Sequence, residues 1–349
     1  MKDLIDKLYT DNYLSREELL TLLNSMTEND KKFLINRAHE TRMKHYGDKV
    51  FMRGLIEFTN YCKRNCMYCG IRASNKYVDR YRLTIEEILE ACEEGYNLGY
   101  RTFVLQGGED DYYGDDLIVM IVEKIKQKYP DCAVTLSIGE RSRNSYEKYF
   151  KAGADRYLMR HETASEELYK SLHPGMTLEN RKKCLRDLKD IGYQVGAGFM
   201  VGLPNQTNED YVNDLMFLKE LEPHMVGIGP FIPHKDTPLG SEQGGTVETT
   251  IIMLALVRLL LPNVLLPATT ALGSIDQIGR EKGIEAGANV VMPNLSPLSV
   301  RKKYALYDGK ICTGDEAAEC RMCIEGRIKR AGFSVDMSRG DNTAWSRSS

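Results

Sequence analysis

Neither sign of charge dominates this chain: 47 basic residues face 50 acidic ones, for a net charge of −3. That balance leaves no global electrostatic footprint for a nucleic acid, and no polybasic run supplies a local one. Long apolar runs are missing as well. The most apolar stretch, Ile251 to Ala268, is interrupted by Arg258 and Pro262, so it reads as a buried helix followed by a strand and not as a membrane span. The N-terminus Met1-Lys2-Asp3-Leu4-Ile5-Asp6 lacks the apolar core of a signal peptide. The expectation is a cytoplasmic protein that engages neither nucleic acid nor membrane. Cysteine, by contrast, is plentiful. There are nine, an odd number with six in two tight trios, which argues for metal ligation in a reducing compartment over a disulfide framework. At 349 residues the chain can hold one large α/β barrel or two ordinary domains, and length alone does not choose.

The first trio is Cys62, Cys66 and Cys69, in Tyr61-Cys62-Lys63-Arg64-Asn65-Cys66-Met67-Tyr68-Cys69-Gly70. Thiolates this crowded suit a cubane iron-sulfur cluster, normally held by four cysteines; three leave one iron open. A structural zinc site needs four ligands, and no second pair lies nearby. His45, the nearest histidine before the loop, sits in a Lys- and Arg-rich stretch that reads as a solvated helix end. Lys63, Arg64 and Asn65 make the loop too polar for a core segment of buried thiols. The CxxxCxxC spacing resembles the signature of the radical S-adenosylmethionine (SAM) superfamily. That resemblance implies that SAM chelates the open iron of a 4Fe-4S cluster and is reductively cleaved to a 5′-deoxyadenosyl radical.

Short β-rich runs alternate with amphipathic helical patterns. Ser15-Arg16-Glu17-Glu18 is a capping box for a helix carrying Leu19, Leu20, Leu22 and Leu23, and a second helix is expected from about Thr27 to His45, closed by Gly47. These make residues 1–47 a helical lead-in. Eight strands are expected at Val50–Thr59, Thr102–Gly107, Ala133–Ile138, Arg156–His161, Gln194–Val201, Met225–Phe231, Val264–Thr269 and Asn289–Met292. Crossover helices between them predict a parallel sheet, closed as a complete (β/α)8 TIM barrel over residues 48–300. An open doubly wound sheet competes, but polar residues gather where successive strands end, which favours the barrel. Residues 301–349 form a C-terminal segment holding the second trio and a polar tail, Ser338 to Ser349, expected to be disordered.

The strand ends supply the candidate SAM contacts. Gly107 and Gly108 let backbone approach a ligand and Glu109 adds an acceptor, although a Gly-Gly-Glu run can equally be a turn. Radical SAM proteins carry a similar motif there, contacting the methionine amine. Arg181 shares a helix face with Cys184, Leu185 and Leu188 behind the cap Thr177; the resemblance points it at the SAM carboxylate, and an ordinary surface arginine is the rival. Glu162 suits ribose hydroxyls or, equally, a salt bridge with Arg160. Gly196-Ala197-Gly198-Phe199-Met200 is small enough for adenine to lie against it, and close strand packing would give the same pattern. Tyr68, Ser137, Arg160 and Met200 complete the cofactor-contact candidates.

Cys312, Cys320 and Cys323, the second trio, suggest an auxiliary 2Fe-2S or 4Fe-4S cluster, with zinc as the alternative. Cys92, Cys132 and Cys184 look structural. From Val50 to Cys323 the chain resembles the HydE family of FeFe-hydrogenase maturases. The likeness rests on the first trio, Val104-Leu105-Gln106-Gly107-Gly108-Glu109-Asp110, Arg160-His161-Glu162-Thr163, Gly229-Pro230-Phe231-Ile232-Pro233-His234, Pro267-Ala268-Thr269-Thr270-Ala271 and the second trio. It implies a large barrel cavity with SAM at the top and a cysteine-ligated Fe(CO)2(CN) substrate, or another small organometallic or amino-acid-derived one, held deeper. It also implies the partner maturases HydG and HydF and a reductant such as ferredoxin or flavodoxin. Candidates for the deeper site are Thr135, Arg160, Thr269, Thr270 and Tyr307, where Arg160 and the paired threonines can take an anionic group. Biotin synthase is a more distant likeness, since the strand interiors here offer no cysteines for its sacrificial cluster. The alternatives are a methylornithine synthase-like mutase, which by resemblance lacks the second trio, and a non-catalytic iron-sulfur protein.

Overall fold

The computed structural model describes residues 1–314 and 316–347. Three helices, not two, open the chain: α1 (Lys2–Asp11), α2 (Arg16–Ser25) and α3 (Glu28–Tyr46). The capping boxes expected from sequence are formed at Ser15 and Thr84, and others appear at Thr27, Thr207 and Glu316. The lead-in is fastened to the barrel: Arg42, fully buried, donates from Nε to Ala288 O at 3.1 Å and from Nη2 to Lys49 O at 2.8 Å.

The barrel strands follow as β1 (Lys49–Met52), β2 (Gly54–Thr59), β3 (Thr102–Gly107), β4 (Ala133–Ser137), β5 (Arg156–Leu158), β6 (Gln194–Ala197), β7 (Met200–Val201), β8 (Met225–Val226), β9 (Gly229–Pro230) and β10 (Val290–Val291). Between and after them run α4 (Ile85–Asn97), α5 (Asp115–Lys128), α6 (Arg143–Ala152), α7 (Glu166–Leu172), α8 (Leu178–Ile191), α9 (Asn208–Leu221), α10 (Val247–Leu260), α11 (Thr270–Ile275), α12 (Gly279–Glu285), α13 (Leu298–Arg301) and α14 (Ala317–Arg330). Helix α4 shows why the pattern works: Ile88, Ala91, Cys92 and Gly95 recur at helical spacing and are the residues it buries.

All strand pairs are parallel, in the order β2-β3-β4-β5-β6-β8. The bridges Met225↔Leu265 and Pro267↔Val290 then carry the ring to β10, which pairs with β1 through Phe51↔Val290. The sheet therefore closes, and the open doubly wound alternative is excluded.

Several strands are shorter than expected. The first breaks at Arg53. The fifth breaks at Gly198, which takes φ +144 with its backbone so close to Gly227 that a Cβ would lie 2.0 Å from Gly227 O. Beyond the breaks, β7 and β9 pair as a separate ribbon. Val264–Thr269 makes only single bridges, because Pro267 has no N–H to donate and Thr269 already caps α11.

The expectation of a disordered tail is corrected. A further strand, β11 (Ser334–Asp336), adds parallel to β1, and the chain then crosses the N-terminal end of the barrel. There Arg339 O accepts from Thr102 Oγ1 at 2.8 Å and from Arg156 Nη2 at 2.6 Å, and Asp341 pairs with Arg156 at 2.7 Å. Trp345 Nε1 donates to Gly192 O at 2.9 Å. The polar tail is ordered because the first residues of β3, β5 and β6 offer buried hydrogen-bonding groups that need partners. Ser348 and Ser349 lie outside the described residues. Among the described residues no helix is long and apolar enough to cross a membrane.

Candidate active site

The cysteine loop leaves β2 and is held by its own backbone. Asn60, fully buried, donates from Nδ2 to Asp79 O at 2.9 Å and to Lys303 O at 2.8 Å; Arg80 donates to Ile71 O at 2.8 Å and Arg72 O at 2.7 Å. Backbone bonds Lys63 N to Glu109 O (2.9 Å), Met67 N to Leu172 O (2.9 Å) and Gly70 N to Leu306 O (2.9 Å) tie the loop to three other segments. Burial raises the thiol pKa of Cys62, pushes Cys66 up to about 12 and pushes Cys69 higher still; the charges of the neighbouring cysteines add to it for Cys66 and Cys69. Three clustered thiolates in such a place need compensating positive charge, which iron supplies. Among the described residues no three His, Cys, Asp or Glu side chains converge on one point as a lone ion requires.

The two glycines after β3 serve the loop itself. A Cβ on Gly108 would lie 2.1 Å from Tyr61 O and 2.7 Å from Cys62 Cβ, and one on Gly107 would lie 2.7 Å from Thr59 Cγ2. Gly108→Ala is therefore expected to push the loop off its seat, an overpacking strain of about 1–3 kcal/mol. Reconstituted G108A protein should hold clearly less iron per chain than the wild type. Full iron incorporation would show that the loop tolerates the shift.

Glu109 turns toward the loop: its Oε2 accepts from Arg64 Nε at 2.5 Å and its Oε1 from Glu140 N at 2.9 Å. Glu140, to which sequence assigned no role, is the hub of this cluster. It accepts from Arg181 Nε at 2.8 Å, Asn180 Nδ2 at 2.9 Å and Arg64 Nη2 at 3.3 Å. Its signal was its place in the polar turn that ends the third strand. Arg181 is buried, as the helix face behind Thr177 predicts, and Nη1 also donates to Arg160 O at 2.9 Å; the surface-arginine alternative falls. Tyr68 and Met200 meet in an apolar cluster with Leu172, Leu203 and Phe231, where Tyr68 Oη lies 3.0 Å from His173 Nε2. Close packing accounts for Gly196, whose Cβ would lie 2.5 Å from Leu158 Cδ1, and for Gly198.

Beneath this mouth lies an internal cavity of about 320 Å³. Of the predicted residues, Gly107, Ser137, Arg160, Glu162, Arg181, Thr269, Thr270 and Tyr307 line it, whereas Gly108, Glu109, Tyr68, Met200 and the first trio do not. Thr135 does not line it either; its Oγ1 is buried without a hydrogen-bond partner. Four cationic side chains, Arg160, Arg181, Arg280 and Lys310, face two carboxylates, Glu57 and Glu162, around the wall. Lys310 is paired with Glu57, Arg160 with Glu162 and Arg181 with Glu140 behind the wall, so most of that positive charge is already matched by carboxylates.

Residues 56–218 match the family model of the Radical SAM superfamily. Over 331 residues, 95% of this chain and 94% of the relative, the sequence is 48% identical to the [FeFe] hydrogenase maturase subunit HydE of Thermotoga maritima. The chain belongs to the HydE family of radical SAM enzymes. It is also 30% identical over 305 residues to the 3-methylornithine synthase of Methanosarcina acetivorans, covering 87% of this chain and 86% of that one. A crystal structure of methylornithine synthase superposes with a TM-score of 0.85 at 28% identity, covering 95% of this chain and 97% of the other.

Membership of the radical SAM superfamily implies a 4Fe-4S cluster and SAM, and the donor set fits: three soft thiols on one short loop, near enough that neighbouring cysteine charge raises the pKa of Cys66 and Cys69. In this HydE-family barrel the second trio is split between two environments. Cys312, at φ +62, and Cys320 line the same cavity, while Cys323 is exposed on α14. Arg280 stands 3.8 and 3.9 Å from Cys312 Sγ and donates to Thr270 Oγ1 at 3.0 Å. Sequence also missed the buried pair Glu57–Lys310 (2.6 Å), in which Glu57 further accepts from Asn294 Nδ2 at 2.8 Å. A lone carboxylate within the otherwise apolar run Leu55-Ile56-Glu57-Phe58 was its signal.

Proposed function

We propose that this HydE-family enzyme acts in assembly of the FeFe-hydrogenase active-site cluster, in the cytoplasm, on a small cysteine-ligated Fe(CO)2(CN) precursor. The observation that carries it is the 48% identity to HydE across 95% of the chain. When bound, the 4Fe-4S cluster on Cys62, Cys66 and Cys69 together with SAM supplies a 5′-deoxyadenosyl radical. In this reading Glu109, Arg181 and Glu162 orient the cosubstrate, and Arg160, Thr269, Thr270 and Tyr307 hold the anionic guest below it. HydG would supply that guest, HydF would receive the product, and a ferredoxin or flavodoxin would deliver electrons. Cys312, Cys320 and Cys323 would carry the auxiliary iron-sulfur cluster.

The 0.85 structural likeness to methylornithine synthase favours a second reading, a mutase acting on a diamino acid. The sequence weighs for the maturase, with 48% identity to HydE against 30% to the 3-methylornithine synthase. Anaerobic reconstitution followed by SAM, dithionite and the HydG product tests the choice. Altered infrared bands of the carbonyl and cyanide ligands, together with 5′-deoxyadenosine release, support the maturase. Formation of 3-methylornithine with unchanged iron carbonyls would overturn it.

A further inference from the structure

The turn that carries Glu162 is held in a strained shape from behind. His161-Glu162-Thr163 forms a three-residue γ-turn: Thr163 N donates to His161 O at 2.8 Å and Glu162 takes φ +66. A residue with a β-carbon persists in that region only where its surroundings over-determine it. In front, Glu162 N donates to Gly198 O at 3.0 Å and Met200 N donates to Glu162 O at 3.0 Å. Behind, Asp214 of α9 clamps both flanks of the turn. Its Oδ1 accepts from Ala164 N at 2.5 Å and lies 3.2 Å from His161 Nε2, while Gly198 N donates to His161 Nδ1 at 3.3 Å.

The proton positions follow from the partners. A backbone N–H can only donate, so Nδ1 is the bare nitrogen and Nε2 carries the hydrogen given to Asp214. Burial pushes the His161 pKa down, in keeping with a neutral ring, and its edge packs on Phe217 at 4.9 Å between centroids. His161 and Asp214 are fully buried, and neither lines the cavity. Glu162 does, and its Oε2 is buried without a hydrogen bond, although Arg160 Nη2 at 3.3 Å gives it the ion pair that the sequence offered as its alternative role. A buried acceptor left open toward a cavity calls for a donor from a ligand.

We propose that Asp214 is a positioning residue that, through His161 and the Ala164 N–H, locks the γ-turn so that the Glu162 carboxylate meets the vicinal hydroxyls of a bound nucleoside. The proposal rests on the reading of this mouth as the SAM site. Its test compares binding of 5′-deoxyadenosine and 2′,5′-dideoxyadenosine, with methionine present, to the anaerobically reconstituted full chain. Wild-type protein should prefer the former roughly tenfold or more, the value of a hydrogen bond to a charged group. Glu162→Gln should shrink that preference, and Asp214→Ala and His161→Phe should shrink it similarly. Asp214→Asn should keep it, since its amide oxygen accepts the same two N–H groups. Adding Asp214→Ala to Glu162→Gln should change nothing more, which a merely structural role would not give. If Asp214→Ala does not fold, His161→Phe, which keeps a planar ring of somewhat larger volume there, decides. An unchanged preference in the foldable variant, where Glu162→Gln loses it, overturns the positioning role. A wild-type protein that does not distinguish the two nucleosides overturns the nucleoside reading, and the proposal with it.

Discussion

Cys66→Ser is expected to abolish release of 5′-deoxyadenosine from SAM under reducing conditions, a loss limited only by the sensitivity of the assay. A cubane normally takes four cysteine thiolates, and in the proposed reading this loop provides three, which leaves one iron open. Removing one leaves two protein ligands for a cluster that must also accept a cosubstrate. Serine cannot replace the thiol, because its hydroxyl is a hard donor that stays protonated at neutral pH. No spare cysteine stands by among the described residues, since Cys92, Cys132 and Cys184 are buried in the core, Cys312 and Cys320 line the cavity and Cys323 is exposed on α14. The measurement is chromatographic quantitation of 5′-deoxyadenosine beside iron content. Undiminished cleavage by the variant would falsify the assignment of this loop as the site of SAM cleavage.

At the opposite end of the barrel, Asp341→Ala should destabilise the protein by about 3 kcal/mol, within the range for stripping a buried charge of its partner. Arg156 is fully buried and its guanidinium meets Asp341 Oδ1 at 2.7 Å; Gln194 Nε2 donates to the same oxygen at 2.6 Å and Arg339 Nε to Oδ2 at 2.9 Å. Burial pushes the Asp341 carboxyl up, but Arg156 and these hydrogen bonds outweigh it and hold the pKa down to about 2, against 3.8 for a free aspartate. A folded-state pKa below the unfolded one means that its stabilisation is complete above pH 3.8 and is lost as the pH falls through about 2. At about 1.4 kcal/mol per unit, that depression alone is worth roughly 2 kcal/mol. Thermal melts at neutral pH should show a midpoint several degrees lower in the variant. Melts between pH 4 and 2 should show the gap to wild type narrowing. Equal midpoints at neutral pH would mean that the tail contributes nothing to the fold.

These two predictions stand on different kinds of information. The cysteine loop was legible because its chemistry is local: three thiols within eight residues cannot avoid sharing one site, whatever surrounds them. The same holds for the helix starts at Ser15 and Thr84 and for the strand positions, which depend on periodicity over a few residues. Strand lengths were less legible. The break at Gly198 depends on Gly227, a residue from the next strand, pressing against its backbone. Tail order was misjudged for a related reason: polarity suggests solvent, yet Asp341 finds Arg156 and Gln194 from far along the chain.

By itself the sequence determined the iron-sulfur chemistry, the parallel α/β architecture and the end of the barrel at which functional groups gather, since each follows from residue type and spacing over short range. Only the tertiary structure decided who pairs with whom: Glu140 with Arg64 and Arg181, Lys310 with Glu57, Asp214 with His161 behind the Glu162 turn. Those partners lie tens to hundreds of residues apart, and it is closure of the sheet into a ring that takes them largely out of water and leaves each charge or hydrogen-bonding group to be satisfied by the few neighbours the fold brings to it.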